Sequence, residues 1–428
     1  MLLLKGVNAG NAGVGRRETM IDNLLAGKHV LLGVTGGIAA YKAADLCSKL
    51  VQAGAEVDVI MTEAAARFVA PLTFSALSDR PTRLDMWAEP AGEAIPHVRL
   101  AAQADLVIVA PLSANTLAKL ALGLADNLLT STLLATSVPW VLGPAMETHM
   151  WANPLTQGHA AALRARGAVL VGPGVGRRAA GAQGAGRMAE PVEILAAARG
   201  VLAANGPLAG RRVVVTAGGT QEPLDPVRYL TNASSGKMGV ALAGAARDLG
   251  AAVTLIHAPL AVPLPPGVAC VPARTAGAMC DAVLERIAGT DILIGAAAVA
   301  DFRPAQPAGH KIKKTPGLEE LTLHLVRNPD ILAEVAVRRA ETGWPKATIG
   351  FAAETDDLIS NAAAKLAAKR LDVIVANDVS QPDSGFGSDD NRVTLLFAGG
   401  RQEALPLMTK DEVAHAVLAA TMGILASR

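Results

Sequence analysis

Glycine turns and clusters of Ser, Thr and Asn are the first residues in this chain whose types and spacing could hold a phosphate. Thr35-Gly36-Gly37-Ile38 ends an apolar run and opens a stretch with helical spacing, which offers backbone N–H groups at a helix N-terminus to an anion. It is not the dinucleotide fingerprint G-x-G-x-x-G, and the next apolar run ends in Met61-Thr62 with no carboxylate for a ribose, so a mononucleotide fits better. A plain tight turn is the competing reading. Ala110-Pro111-Leu112-Ser113-Ala114-Asn115-Thr116 brings two hydroxyls and an amide to another helix start, although capping by Ser113 accounts for it equally well. Asn232-Ala233-Ser234-Ser235-Gly236-Lys237 has the composition of a P-loop, but Met238 stands where the hydroxyl belongs. It reads instead as a polar helix-capping turn able to hydrogen-bond an acyl phosphate or a substrate.

Side chains that could move protons or meet charge are fewer. His97, between Pro96 and Val98, lies outside any clean helical stripe and is either a base or a structural group. Asp301 follows 295–300 in GAAAVADFRP, at the carboxyl end of an apolar run where open α/β sheets place ligands, and is a site carboxylate or a loop cap. Lys311-Ile312-Lys313-Lys314 sets three cations beside Gly and Pro residues, as a triphosphate clamp or a solvated loop. Asn328-Pro329-Asp330-Ile331 and Asn377-Asp378-Val379 each follow an apolar stretch with turn chemistry, as a site rim or as simple turns.

These residues need a scaffold, and the hydrophobic pattern supplies one. Apolar runs of strand length recur at 29–34, 57–61, 105–110, 138–142 and 168–171, then at 212–216, 252–257, 291–297, 347–351, 372–376 and 392–397. Runs this continuous suit strands buried on both faces. Between them 39–53, 238–249, 276–287 and 358–370 have helical spacing, which makes the pattern β–α–β. Residues 27–62 are echoed within 210–258: each has a strand, a glycine turn, a helix closed by Gly-Ala and a second strand, with an insert in the later copy. The expected fold is α/β, with two doubly wound Rossmann-like or flavodoxin-like domains and mainly parallel sheets. The Gly-, Pro- and Asn-punctuated 200–210 reads as the linker between 24–199 and 211–428.

Composition narrows the function classes. At ~150 residues per domain, 428 residues allow two to three domains. With 39 Lys+Arg against 38 Asp+Glu the net charge is +1, and no global field favours nucleic acid or a membrane surface. Cys47, Cys270 and Cys280 form no CxxC and no metal-ligand spacing, which suits a reducing cytoplasm. No apolar run reaches the ~18 residues of a spanning helix. The opening Met-Leu-Leu-Leu breaks at Lys5, too early for a secretory signal, and residues 1–23 read as a disordered extension, with Met20 as an alternative start.

Taken together the motifs resemble a known family. TAGGTQEPLDPVRYLTNASSGKMG (216–239), AAVADFRP (297–304), KIKK (311–314), NPDIL (328–332), GFAAET (350–355) and ANDVS (376–380) look like the phosphopantothenate–cysteine ligase half of the bifunctional coenzyme A biosynthesis proteins. TGGIAAYK (35–42), MTEAA (61–65), APLSANT (110–116), GLADNLL (123–129) and PAM (144–146) look like the flavin-dependent decarboxylase half. The resemblance spans about 24–425 in the family's order. It implies that 4′-phosphopantothenate attacks the α-phosphate of CTP, giving an acyl-cytidylate and pyrophosphate, and that the amine of cysteine then displaces CMP. It assigns Lys311, Lys365 and Lys369 to the nucleotide phosphates, Asp301, Phe351 and Pro329, Asp330, Ile331 and Leu332 to cytidine and ribose, and Asn232 to the acyl-cytidylate, with Mg²⁺ travelling on the triphosphate. Lys365 and Lys369 are spaced i, i+4 on an expected helix, so both can face the site.

For the other half the resemblance implies FMN at Thr35, Gly36, Gly37, Ile38, Thr62, Ser113, Ala114, Asn115 and Thr116. The reaction is oxidation of the cysteinyl thiol of phosphopantothenoylcysteine, loss of CO₂ and return of the electrons to give 4′-phosphopantetheine. His97 falls on the family's essential histidine. Two positions depart from the family: Glu147 replaces the Asn after PAM that binds the substrate carboxylate, and Ala180 replaces the flap cysteine, with Glu190 the nearest acid. A carboxylate facing a carboxylate is repulsive, and Ala180 cannot deliver a proton. A ligase whose flavin half only binds FMN and oligomerises is therefore the second reading; an NAD-dependent dehydrogenase is the third, disfavoured by the missing fingerprint. The family implies a cytoplasmic homo-oligomer, a dodecamer built from flavin-half trimers and ligase-half dimers.

Overall fold

The computed structural model describes residues 24–87, 95–177, 183–313, 320–354, 357–378 and 387–426. The first half is built on strands β1 (His29–Val34), β2 (Glu56–Met61), β3 (Leu106–Leu112), β4 (Trp140–Pro144) and β5 (Val169–Leu170). They form a parallel five-stranded sheet in the order β2-β1-β3-β4-β5, the flavodoxin-like arrangement. Helices α1 (Ala40–Gln52), α2 (Glu63–Ala66), α3 (Pro71–Ser78), α4 (Pro96–Gln103), α5 (Ala114–Leu122), α6 (Leu128–Ala135), α7 (Thr148–Ala152), α8 (Pro154–Ala165) and α9 (Pro191–Leu202) surround it. Alternation along β1 explains the layering: Val30, Leu32 and Val34 face α1, α3 and α9, while Leu31 faces α4, α5, α6 and α8. A glycine-rich hairpin, β6 (Gly174–Arg177) with β7 (Gln183–Arg187), follows the sheet; its glycines hide it from a hydrophobic pattern.

The second half contains β8 (Arg212–Ala217), β9 (Gln221–Pro223), β10 (Tyr229–Thr231), β11 (Ala252–His257), β12 (Ala269–Pro272), β13 (Ile292–Gly295), β14 (Phe302–Pro304), β15 (Leu325–Arg327), β16 (Ala347–Glu354), β17 (Val373–Asp378), β18 (Asp390–Asn391), β19 (Val393–Phe397), β20 (Gln402–Ala404) and β21 (Met408–Thr409). Its main sheet has eight strands ordered β12-β11-β8-β13-β16-β17-β19-β20. The first six are parallel and follow the Rossmann order, with an antiparallel edge added by β19 and β20. Helices α10 (Lys237–Asp248) and α14 (Lys410–Ala426) cover one face; α11 (Ala276–Leu284), α12 (Ile331–Thr342) and α13 (Leu358–Ala368) cover the other. The insert in the echoed unit is the antiparallel pair β9–β10.

The stretch read as a linker is tightly held. Helix α9 runs into it, a 3₁₀ turn occupies Ala203–Asn205, and Leu208 is buried with its N–H on the Leu249 carbonyl at 2.8 Å. Among the described residues no helix is long and apolar enough to cross a membrane.

Candidate functional site

In each half the order of strands reverses at one point, and many of the residues singled out by sequence lie there. In the first half the point lies between β1 and β3. The Thr35 hydroxyl donates to the Pro111 carbonyl at 2.7 Å and accepts from the Ser113 N–H at 2.9 Å, tying the two loops together. Thr35 is 1% exposed, so its hydroxyl positions the loops rather than meeting a ligand. Gly36 is required here, because a Cβ would stand 2.5 Å from that of Ala64. Gly37 has open space around it, and α1 starts with no side-chain cap, so the turn 36–38 turns its backbone donors outward. That donor set fits a flavin phosphate. Ser113 also caps α5, accepting from Thr116 N–H at 3.3 Å, so the bland reading of that motif holds alongside its place at the switch point. Ala114, Asn115 and Thr116 form the first turn of α5, and Thr62 caps α2 while its N–H reaches the Val34 carbonyl.

The PAM segment joins them: Ala145 N–H bonds Leu112 O at 3.0 Å, and Met146 N–H bonds Gly186 O on β7 at 3.0 Å. Glu147 does not reach freely toward a substrate. It caps α7, its Oε2 accepting from His149 N–H at 2.6 Å and Met150 N–H at 3.3 Å. His97 sits in the first turn of α4, and its Nδ1 is buried without a hydrogen-bond partner among the described residues. Helix α4 packs against α6, whose start is fixed by a reciprocal Asn127–Thr130 capping box from the GLADNLL motif.

Glu190 is engaged in ion pairs. Lys42, itself 7% exposed, donates to Glu190 Oε1 at 2.9 Å, and Arg187 reaches the same oxygen at 2.9 Å. The Lys42 bond holds the carboxyl below the usual range against the opposing effect of burial. A depressed carboxyl contributes stability that is full above the unfolded value and is lost as pH falls through the folded one. Attachment of β7 to α1 should therefore persist at pH 5 and weaken only in stronger acid, with Lys42→Met moving the loss to higher pH. Hydrogen exchange at Met188 and Glu190 checks this; an unshifted acid transition in Lys42→Met sinks it. Ala180 lies outside the described residues, as do Lys314, Thr355, Val379 and Ser380.

In the second half the reversal lies between β8 and β13. Thr216 Oγ1 accepts from Ala297 N–H at 3.2 Å, and Thr220 Oγ1 from Ala300 N–H at 2.9 Å, so the AAVAD loop is strapped across the strand ends. The cleft there is about 850 Å³ and is walled by residues 231–239, 295–302 and 327–332 together with Phe351, Lys365 and Lys369. It thus gathers Asn232, Asp301, Pro329, Asp330, Ile331, Leu332, Phe351, Lys365 and Lys369. Asn232 Nδ2 donates to Val299 O at 3.2 Å. Asp330 caps α12 and pairs with Lys369 Nζ at 3.1 Å. Lys365 lies in the last turn of α13, whereas Lys369 is its C-cap, because the helix ends at Ala368 rather than at the expected 370.

Lys311 is exposed and is not part of the cleft wall. Its neighbour Ile312 is clasped instead: the N–H donates to Asp225 Oδ2 at 3.1 Å and the carbonyl accepts from Arg228 Nη2 at 2.8 Å. The expected polar capping turn of α10 is present in part, with Ser235 Oγ accepting from Lys237 N–H at 3.4 Å. Gly236 is the N-cap, at φ 78°, and a Cβ there would meet Leu260 Cδ2 at 2.2 Å; Gly239 lets the helix close on β8, where a Cβ would stand 2.5 Å from that of Ala217. Lys410 and Asn391 also line the cleft, and sequence reading missed both. Each stands far along the chain from the motifs, and only the lysine at the start of a helical stretch could have drawn notice. Among the described residues no group of three or more His, Cys, Asp or Glu is placed to hold a metal.

Comparison with known proteins covers both halves. The family described as DNA/pantothenate metabolism flavoprotein C-terminal domain matches residues 208–424, and the family described as Flavoprotein matches 21–203. The Coenzyme A biosynthesis bifunctional protein CoaBC of Vibrio cholerae serotype O1 is 48% identical over 395 residues, covering 92% of this chain and 98% of its own. Its namesake in Bacillus subtilis (strain 168) is 47% identical over 398 residues, with 92% and 97% covered. That of Mycobacterium tuberculosis (strain ATCC 25618 / H37Rv) is 45% identical over 419 residues, with 95% and 99% covered.

Proposed function

Because this chain belongs to the family of bifunctional coenzyme A biosynthesis proteins, we propose that its two switch-point sites carry out two consecutive steps of that synthesis. The 211–428 half is a CTP-dependent phosphopantothenate–cysteine ligase, and the 24–199 half is an FMN-dependent phosphopantothenoylcysteine decarboxylase. The observation that carries the ligase reading is the single cleft that brings Asn232, Asp301, Phe351, Lys365 and Lys369 together. Attack by the pantothenate carboxylate on the α-phosphate forms a C–O–P bond and expels pyrophosphate; the cysteine amine then forms the amide and expels CMP. Lys365 and Lys369 offset the charge that builds on the phosphates, Asp301, Phe351 and the 329–332 turn hold the nucleoside, and Asn232 steadies the acyl-cytidylate. Lys311 joins the phosphates from its clasped segment, and Mg²⁺ arrives with CTP.

For the decarboxylase half the donor turn 36–38 and residues 113–116 hold FMN. Bound there, the flavin supplies two-electron redox chemistry to the substrate thiol. His97 takes the proton as the thiol is oxidised, and water replaces the flap acid as proton source, since the Glu190 carboxylate is held ionised. Large apolar side chains exposed around that site, among them Ile38, Tyr41, Phe68, Leu72 and Trp87, support a homo-oligomer, which we take to be the family's dodecamer, in the cytoplasm. Anaerobic incubation with CTP, cysteine and 4′-phosphopantothenate tests both steps: pyrophosphate, CO₂ and 4′-phosphopantetheine should all appear. Pyrophosphate without CO₂ from a yellow protein favours the second reading, a flavin-binding scaffold, which the departures at Glu147 and Ala180 support.

Glu147→Asn separates capping from charge. Asparagine caps a helix at least as well, so α7 should persist. Two unit charges ~5 Å apart repel by about 1–3 kcal/mol at intermediate dielectric. The KM for phosphopantothenoylcysteine should therefore fall about tenfold. A KM that rises would show that Glu147 contacts the substrate favourably.

A further inference from the structure

The ligase cleft has a second cationic end, opposite in character to the nucleoside-holding loops. Lys410, the first residue of α14, is only 7% exposed and donates to the Ser388 carbonyl. Lys237, the first residue of α10, donates to Asp389 Oδ1 at 2.6 Å and to the Gly387 carbonyl at 3.0 Å. Both lysines line the cleft. Burial lowers the Lys410 pKa, the Lys237 charge lowers it further, and Asp389 and Asp390 oppose this. Two ammonium groups that feel each other in a partly desolvated place are stabilised by an anion between them.

A second observation points the same way. Asn391 is 3% exposed and lines the cleft, and its Oδ1 has no hydrogen-bond partner among the described residues. Its Nδ2 meets the Met238 sulfur at 3.8 Å, beside Lys237, and its backbone pairs with Met408, two residues before Lys410. Buried amide groups are almost always satisfied, and the two ends of an Asn amide exchange places by a simple flip. Turned over, the Asn391 amide sets its NH₂ where the oxygen now stands, at the cleft wall. Ser235 Oγ takes the Lys237 N–H at 3.4 Å, and the remaining N–H groups of the first turn of α10 add backbone donors at the same end.

We propose that Lys237, Lys410 and Asn391, with the first turn of α10, form a seat for a substrate phosphate separate from the Lys365–Lys369 side. The assignment rests on the ligase reading above. Two substrates bring such a group, CTP through its outer phosphates and 4′-phosphopantothenate through its phosphomonoester, and the chemistry of the seat is the same for both.

The test uses the full chain and the variants Lys410→Met, Lys410→Arg and Asn391→Asp. Lys410→Met should raise the KM for one phosphate-bearing substrate at least tenfold while the KM for cysteine stays within twofold, and Lys410→Arg should recover most of the loss. Asn391→Asp places a carboxylate at the seat and should shift the same KM in the same direction. A shift in the KM for CTP, with weaker inhibition by inorganic pyrophosphate, identifies the outer nucleotide phosphates; a shift for 4′-phosphopantothenate identifies the phosphomonoester. If neither KM moves more than twofold in variants that melt like the parent, the seat is refuted. Should Lys410→Met fail to fold, Asn391→Asp decides by the same criterion. A parent protein that releases no pyrophosphate overturns the ligase reading instead, and calorimetric binding of inorganic pyrophosphate to parent and Asn391→Asp then decides the seat alone.

Discussion

Replacing His97 by asparagine should lower CO₂ release from phosphopantothenoylcysteine by about 10²–10⁴-fold, the usual contribution of a positioned general base. Pyrophosphate release by the other half should not change, and the protein should stay yellow. The expectation rests on how His97 is held. Pro96 occupies the first position of α4, which fixes the entry of the chain, and Leu100 and Ala101 bury the far side of the helix against α6. The imidazole is thereby placed by a packed element rather than a loop, and its Nδ1 has no partner among the described residues. Asparagine keeps a polar group of similar reach but cannot accept a proton near neutral pH. Undiminished CO₂ release in His97→Asn would remove the histidine from the chemistry and leave it as a structural residue of α4.

Most of the scaffold was legible because buried parallel strands carry their own signature. The apolar runs at 29–34 and 252–257 coincide with β1 and β11, and the others fall within a few residues of β2, β3, β4, β5, β8, β13, β16, β17 and β19. What escaped was short, glycine-rich or polar. The β6–β7 hairpin has glycine at Gly174, Gly176, Gly184 and Gly186, and the β9–β10 and β14–β15 pairs are three residues per strand, too brief for a period to show. The site was legible where a motif lies in one stretch of chain, as with Thr35–Ile38, and illegible where the fold makes it. Thr35 looked like a phosphate ligand, yet its hydroxyl is spent between Pro111 and Ser113; only the register of β1 beside β3 brings those residues within reach. Asn391 is the converse case, an unremarkable asparagine in sequence that is buried where β18 pairs with β21, its amide oxygen without a partner among the described residues.

The ligase half gives the second large effect. Lys365→Ala should reduce kcat/KM for CTP-dependent pyrophosphate release by about 10²–10³-fold, the loss expected when a donor to developing phosphate charge is removed. Lys369 is the less informative target, because its ammonium already pairs with Asp330 at 3.1 Å, and Asp330 also caps α12 through Ala333 N–H at 3.2 Å. Removing Lys369 would disturb a helix as well as a phosphate contact. Lys365 caps no helix: it stands in the last turn of α13, where a cation is favoured by the helix dipole even with no ligand present. The helix itself is anchored by buried Ala362 and by Leu371, which packs so closely over Gly350 that a Cβ there would lie 2.6 Å from its Cδ1. Alanine at 365 should therefore leave the helix in place and remove only the charge. CO₂ release from supplied phosphopantothenoylcysteine serves as the folding control in the same preparation. If pyrophosphate release persists at the parental rate while CO₂ release is intact, Lys365 faces the cleft without serving the nucleotide, and the phosphate charge must be met by Lys311 and the Lys237–Lys410 end instead.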